Sequence, residues 1–198
     1  MILDALDELQ KNVDGLAGRI DEDRIGVGGH SFGAHTSQLI GGVKLRNPVT
    51  KQFQDFSDPR PQAVLLISPQ GTGESLVPQS WKSLERPALV ITGTNDKSPR
   101  NGKGHLWRKE IFDHAPEGDR YLLMIDDAHH GFGGITGKRR FPGSGPASES
   151  HVNYVKSAST AFWDLFLKEA NDAAPWLRTH QFSEATDGAA EMSSKYGK

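Results

Sequence analysis

Four short apolar runs, each closing in a polar or glycine-bearing loop, set the rhythm of this chain. RIGVGG at 24–29, AVLLIS at 63–68, ALVITG at 88–93 and LLMID at 122–126 carry little polar alternation. Runs of that kind predict strands covered on both faces. Between them the period changes. Ala34 to Val43 follows a helical pattern that Gly41 and Gly42 stop, and HLWRKEIFDHA at 105–115 suits a helix. Ser148 is placed to cap a long amphipathic helix bearing Val152, Val155, Phe162, Leu165 and Phe166 and ending near Asn171. At the start, Ile2, Leu6, Leu9, Val13 and Leu16 recur at alternating steps of four and three, which predicts a helix with one buried stripe, ended by Gly18.

Strands separated by helices need crossover connections, so the pattern predicts an α/β fold: a mostly parallel sheet with helices on both faces. In such sheets chemistry gathers beyond the carboxyl ends of the strands. Ser31, Asp96 and His130 each lie just past such an end. The expected organisation is one domain over residues 1–182. A small, polar tail, 183–198, is expected to be loosely held.

Composition narrows the function classes. The 198 residues are 35% hydrophobic and 24% charged, with a net charge of −2, so nucleic acid and an anionic membrane surface are not expected partners. The KRR cluster at 138–140 reads as a solvated loop face. No apolar run is long enough for a membrane span. The acidic ILDALDELQKNV lacks a basic-then-apolar leader, so no signal peptide is expected, and no compartment follows. Without cysteine there is no disulfide, thiolate metal site or cysteine nucleophile. No metal or cofactor is expected either. His30 and His35 do not have the spacing of a zinc-protease pair, Gly26, Gly28 and Gly29 miss the dinucleotide fingerprint, and no phosphate loop is present.

The candidate chemistry begins at Gly29-His30-Ser31-Phe32-Gly33. A glycine-rich loop is one reading of this stretch. The other is a strand-to-helix turn that exposes a serine hydroxyl, with glycines two residues to either side relieving crowding. The Phe32 N–H would then open a helix where an oxyanion forms. A serine nucleophile needs a base, and the base a carboxylate. Asp96 sits in the loop after ALVITG, where it could also be an ordinary turn residue, and His129 and His130 follow the next strand beside Asp126 and Asp127. Position alone does not choose between the two histidines. Trp81 is either a pocket wall or a core seal, while Phe162 and Trp163 read as packing.

DEDRIGVGGHSFGA, DPRPQAVLLISPQG, SWKSLERPALVITGTNDKSP, DDAHHGFGG and TAFWDLFLKEANDAAPWL, spread over residues 21–177, carry a resemblance to esterase-like α/β-hydrolases. That group includes dienelactone hydrolases, platelet-activating-factor acetylhydrolases and cutinase-like polyester hydrolases. The resemblance implies the α/β-hydrolase fold and cleavage of carboxylic esters, small or polymeric, through an acyl-serine. It assigns Ser31 as nucleophile, Asp96 as acid and His130 as base, with His129 the fallback. His30, Trp81 and Phe132 are candidate pocket residues.

Complete members of that group carry several strands before the serine turn, whereas thirty residues precede Ser31 here. The expectation is therefore an N-terminally truncated fold, with one sheet edge uncovered and prone to self-association. Loss of one oxyanion donor costs roughly a hundred- to a thousandfold in rate. A weak or inactive fragment of a hydrolase is thus the alternative expectation.

Overall fold

A computed structural model describes residues 3–137, 141 and 143–197. Ile2 and the KRR cluster at 138–140 lie outside the described residues. The architecture is α/β: a five-stranded sheet in the order β1 (Ile25–His30), β4 (Pro61–Ile67), β5 (Ala88–Asn95), β6 (Arg120–His129) and β7 (Ala190–Ser194). The first four run parallel, and β7 pairs antiparallel with β6. A small ribbon of β2 (Leu45–Arg46) and β3 (Phe53–Gln54) lies within the polar stretch before β4. β1 forms one edge of the sheet, paired only with β4 among the described residues.

The unbroken apolar runs are explained by two cores, one on each face. Ala63 and Leu65 of β4, Leu89 and Ile91 of β5, and Tyr121, Leu123 and Ile125 of β6 face α5 (Glu149–Leu167). Their neighbours Val64, Leu66, Ala88, Val90 and Leu122 face the other way. There they meet Ala34 of α2 (Phe32–Ile40), Ile111 of α4 (Glu110–His114) and Trp81 of the 3₁₀ turn Pro78–Ser83. Alternation in a doubly covered strand sorts residues between two apolar sides, so no polar position is needed. Ser148 caps α5 as its position predicts, its Oγ accepting the His151 N–H at 3.2 Å. Val155, Ala158, Phe162 and Leu165 then follow one buried stripe. The 105–115 segment forms two short helices, α3 (His105–Arg108) and α4, meeting at Lys109.

Glycines 26 and 28 of β1 have a packing role. A Cβ at Gly26 would overlap the Trp163 ring, and one at Gly28 would press on Leu65 and the same ring. The two positions make room for a tryptophan on the strand.

Three expectations are corrected. The first segment is helical only as a 3₁₀ turn, Leu3–Ala5, and α1, Leu6–Asn12. Its stripe is not buried: Leu9 and Val13 are exposed, and its ties are polar ones such as Asp4 to Arg60. The period predicted the helix correctly but not a surface to cover it. The tail is not loose. α6 (Ala174–Arg178) and α7 (Gln181–Ala185) lead into β7, which runs alongside β6 from Ile125↔Ala190 to Tyr121↔Ser194. Phe182, Ala190 and Met192 are buried. Backbone pairing needs few apolar side chains, so AEMSS reads as polar tail in the sequence yet completes the sheet. Trp81 seals the core: it is wholly buried, its indole N–H donates to Gln38 Oε1 at 3.1 Å, and its ring stacks on His114.

Candidate active site

Every parallel strand delivers a polar residue to the same place: Ser31 directly follows β1, Ser68 follows β4, Asp96 follows β5 and His130 follows β6. The parallel register aligns the strand ends, so residues as distant in sequence as 31 and 130 become neighbours. His130 Nε2 lies 2.9 Å from Ser31 Oγ, and His130 Nδ1 lies 2.8 Å from Asp96 Oδ1. Asp96 and His130 are almost fully buried.

The protons follow from these contacts. An ionised carboxylate only accepts, so the 2.8 Å contact requires Nδ1 to carry a hydrogen and donate it to Asp96. Nε2 of the neutral ring is then an acceptor, and the Ser31 hydroxyl donates to it. Burial alone would raise the Asp96 carboxyl. The His130 hydrogen bond, the Arg108 charge and the Ser68 hydroxyl together outweigh burial and hold Asp96 below the ordinary carboxylate value. Thr92 donates to its second oxygen at 3.0 Å.

The backbone at Ser31 is the clearest local departure from ordinary geometry. Its φ of 57° and ψ of −112° lie outside the basins favoured by residues with a side chain. Such a conformation costs on the order of 1–3 kcal/mol and persists where surrounding structure enforces it. Here the Ser31 N–H is held by the Ile67 carbonyl at 2.9 Å, as a last rung of the β1–β4 ladder. Its carbonyl already accepts from His35 as the first bond of the helix at 3.1 Å. The chain thus turns from strand to helix within one residue. A Cβ at Gly29 would overlap the Gly33 carbonyl, which explains that glycine. At Gly33 a Cβ would meet nothing, so the crowding expected on both sides of the serine is one-sided. Phe32 opens α2, where a first-turn N–H has no intrahelical acceptor.

A cleft of about 600 Å³ opens beside Ser31, with Phe32, Leu76, Arg100, Lys103 and Trp107 among its walls. The Phe32 ring is exposed, with the Arg100 guanidinium 5.9 Å from its centre. Trp107 donates its indole N–H to the Thr72 carbonyl at 2.8 Å, which fixes that wall.

His130, not His129, reaches Ser31. The His129 ring packs over Gly145, and Asp127 is engaged by Asn95 at 3.1 Å. Phe132 is fully buried behind the histidine loop, in the α5-side core, so it is no pocket wall. His30 is not part of the Ser31 cleft. Its ring lies 4.9 Å from that of His130, its Nε2 is 2.8 Å from the His130 carbonyl, and its far side lines an apolar groove with Trp163. Burial lowers the His30 pKa, only partly offset by that hydrogen bond.

Sequence reasoning missed three residues. Ser68 Oγ sits 2.8 Å from His130 Nδ1, and the backbone at Ser68 is also left-handed, with φ of 54°. The rule that places Ser31, Asp96 and His130 just after a strand would also have found it at the end of AVLLIS. Trp107 and Arg108 lie in a mixed helical segment that reads as surface. Arg108 is nevertheless buried against the Asp96–His130 pair. Among the described residues no cluster of metal-ligating side chains forms, and no helix is long and apolar enough to cross a membrane. No known family model matches the chain, and neither does any curated protein.

Proposed function

We propose that this protein is a serine hydrolase with the α/β-hydrolase fold that cleaves carboxylic esters through an acyl-serine intermediate. The observation that carries the reading is the continuous line from Ser31 Oγ to His130 Nε2 and from His130 Nδ1 to Asp96 Oδ1, at 2.9 and 2.8 Å. Its origin in a strained strand-to-helix turn supports it further.

The chemistry runs in two steps. Ser31 Oγ attacks the ester carbonyl carbon while His130 Nε2 takes its proton. The carbonyl oxygen becomes an oxyanion beside the Phe32 N–H, and Asp96 stabilises the imidazolium. As the C–O bond to the alcohol breaks, Nε2–H protonates the leaving oxygen. Water then attacks the acyl-serine with His130 again as base, releasing the acid and restoring Ser31. The substrate enters through the cleft walled by Phe32, Leu76 and Trp107, whose mix of apolar and cationic groups suits a small ester or the exposed end of a polymer.

Turnover of p-nitrophenyl acetate tests this. Wild type is expected to release nitrophenol catalytically, and Ser31→Ala is expected to reduce kcat/KM by about 10³-fold or more. Equal rates for the two proteins would overturn the reading in favour of a catalytically inactive domain.

A further inference from the structure

Arg108 is a buried cation that the three-residue mechanism does not use. It is 2% exposed, and its Nη1 is pinned by the Ser68 and Pro69 carbonyls at 3.2 and 3.0 Å. That anchoring turns the other edge of the guanidinium toward the site. Nε lies 3.5 Å from Asp96 Oδ1 and has no hydrogen-bond partner among the described residues, while Nη2 lies 3.3 Å from His130 Nδ1. A buried guanidinium with an unsatisfied N–H is costly to keep. Hydrogen bonding to the two carbonyls does not require a charge.

We propose that Arg108 is a positioning residue that holds His130 as the free base by placing a fixed positive charge against both Asp96 and the His130 ring. The proposal rests on the serine hydrolase reading above. Its electrostatic logic can be counted. With Arg108 present, the resting cluster of Arg108, Asp96 and neutral His130 has no net charge, and protonating His130 makes it +1. Without Arg108 the resting cluster is −1, and protonation neutralises it. The arginine therefore disfavours the imidazolium and extends the pH range in which His130 can accept the serine proton. It also makes the imidazolium, once formed, a stronger acid toward the leaving alcohol. Among the described residues, the charged and titratable groups facing His130 are Asp96 after β5, Arg108 on α3 and His30 on β1, with the Ser31 and Ser68 hydroxyls completing the shell. Of these, only Arg108 is a permanent cation.

The test compares Arg108→Gln, which keeps amide donors for the Ser68 and Pro69 carbonyls but removes the charge, with Arg108→Lys, which keeps the charge but loses the fork. For each, kcat/KM toward p-nitrophenyl acetate is followed from pH 4.5 to 9. Independently, the His130 imidazole is titrated by NMR in a Ser31→Ala background. The neutral variant is expected to move the acid limb and the NMR titration upward. The lysine variant is expected to stay nearer wild type in both. Shifts of equal size in the two variants, or no shift in either, would overturn the proposal. Because the NMR titration needs no turnover, a protein that hydrolyses nothing would sink the hydrolase reading while still deciding what Arg108 does. If Arg108→Gln fails to fold, Arg108→Met takes its place as the neutral variant in the same titration, with the same outcomes for and against.

Discussion

The faces of the sheet and the rim at its strand ends are built on opposite terms. On the faces, β4, β5 and β6 place aliphatic and aromatic side chains into two cores, and these core-facing strand residues have no positive φ among them. At the rim, three polar residues crowd within hydrogen-bond reach of one imidazole, two of them, Ser31 and Ser68, in left-handed backbone, with a buried guanidinium beside them. Burying apolar area stabilises by about 25 cal/mol per Å². Burying charges and twisting serines costs free energy unless a partner compensates. The cores supply the stability that the rim consumes.

Substitutions on the two sides should therefore separate stability from chemistry. The largest expected effect is at the rim. Asp96→Asn replaces the accept-only carboxylate that fixes the His130 tautomer with a neutral amide that can donate as well, and is expected to lower kcat by roughly 10⁴-fold with little change in far-UV circular dichroism. A fall of less than tenfold would mean the carboxylate is a turn residue. Next comes the core. Phe162→Ala, deep in the α5-side core, is expected to lower unfolding free energy by about 3–5 kcal/mol while the surviving folded protein keeps its kcat. Urea unfolding with an activity assay at low denaturant reads both quantities, and a matching collapse of kcat would blur the division between face and rim.

The smallest expected effect lies where the two regions touch. His30 packs on His130 from β1, and burial depresses its pKa. In the pH window below about 6.5, the ordinary imidazole value, the unfolded chain binds a proton that the folded protein resists. His30 therefore contributes stability that is full above that value and is lost as pH falls through the folded one. Stability measured by denaturant titration should decline from pH 7 to 5, and His30→Gln should flatten part of that slope. The remainder belongs to His35 and His151, which burial lowers in the same direction. An unchanged slope in the variant would place His30 outside the titrating set.

The same division governs what the sequence reveals. The faces are legible because apolar periodicity is a local property: β4, β5, β6 and α5 follow from it within a residue or two at most ends. Ser31, Asp96 and the His129–His130 pair are legible for a topological reason, since parallel strands bring their ends to one rim, although strand-end position does not separate the two histidines. Ser68 obeys that rule but looks like any serine before a proline. Arg108 gives no signal at all, because a helical arginine is solvated in most contexts and only the packed fold shows where its head lies. β7 is missed for the converse reason. Its stabilisation comes from backbone pairing with β6, which a polar composition does not disclose. Leu9 and Val13 show the remaining limit of periodicity, for a stripe specifies which face is apolar and not whether anything lies against it.

Mapping a covalent adduct tests the central claim most directly. Incubation with a fluorophosphonate followed by peptide mass mapping is expected to place a single adduct on Ser31, and His130→Ala is expected to abolish it without unfolding the protein. A natively folded protein that takes no adduct, or takes it equally well without the His130 imidazole, would contradict the claim that the rim activates this serine.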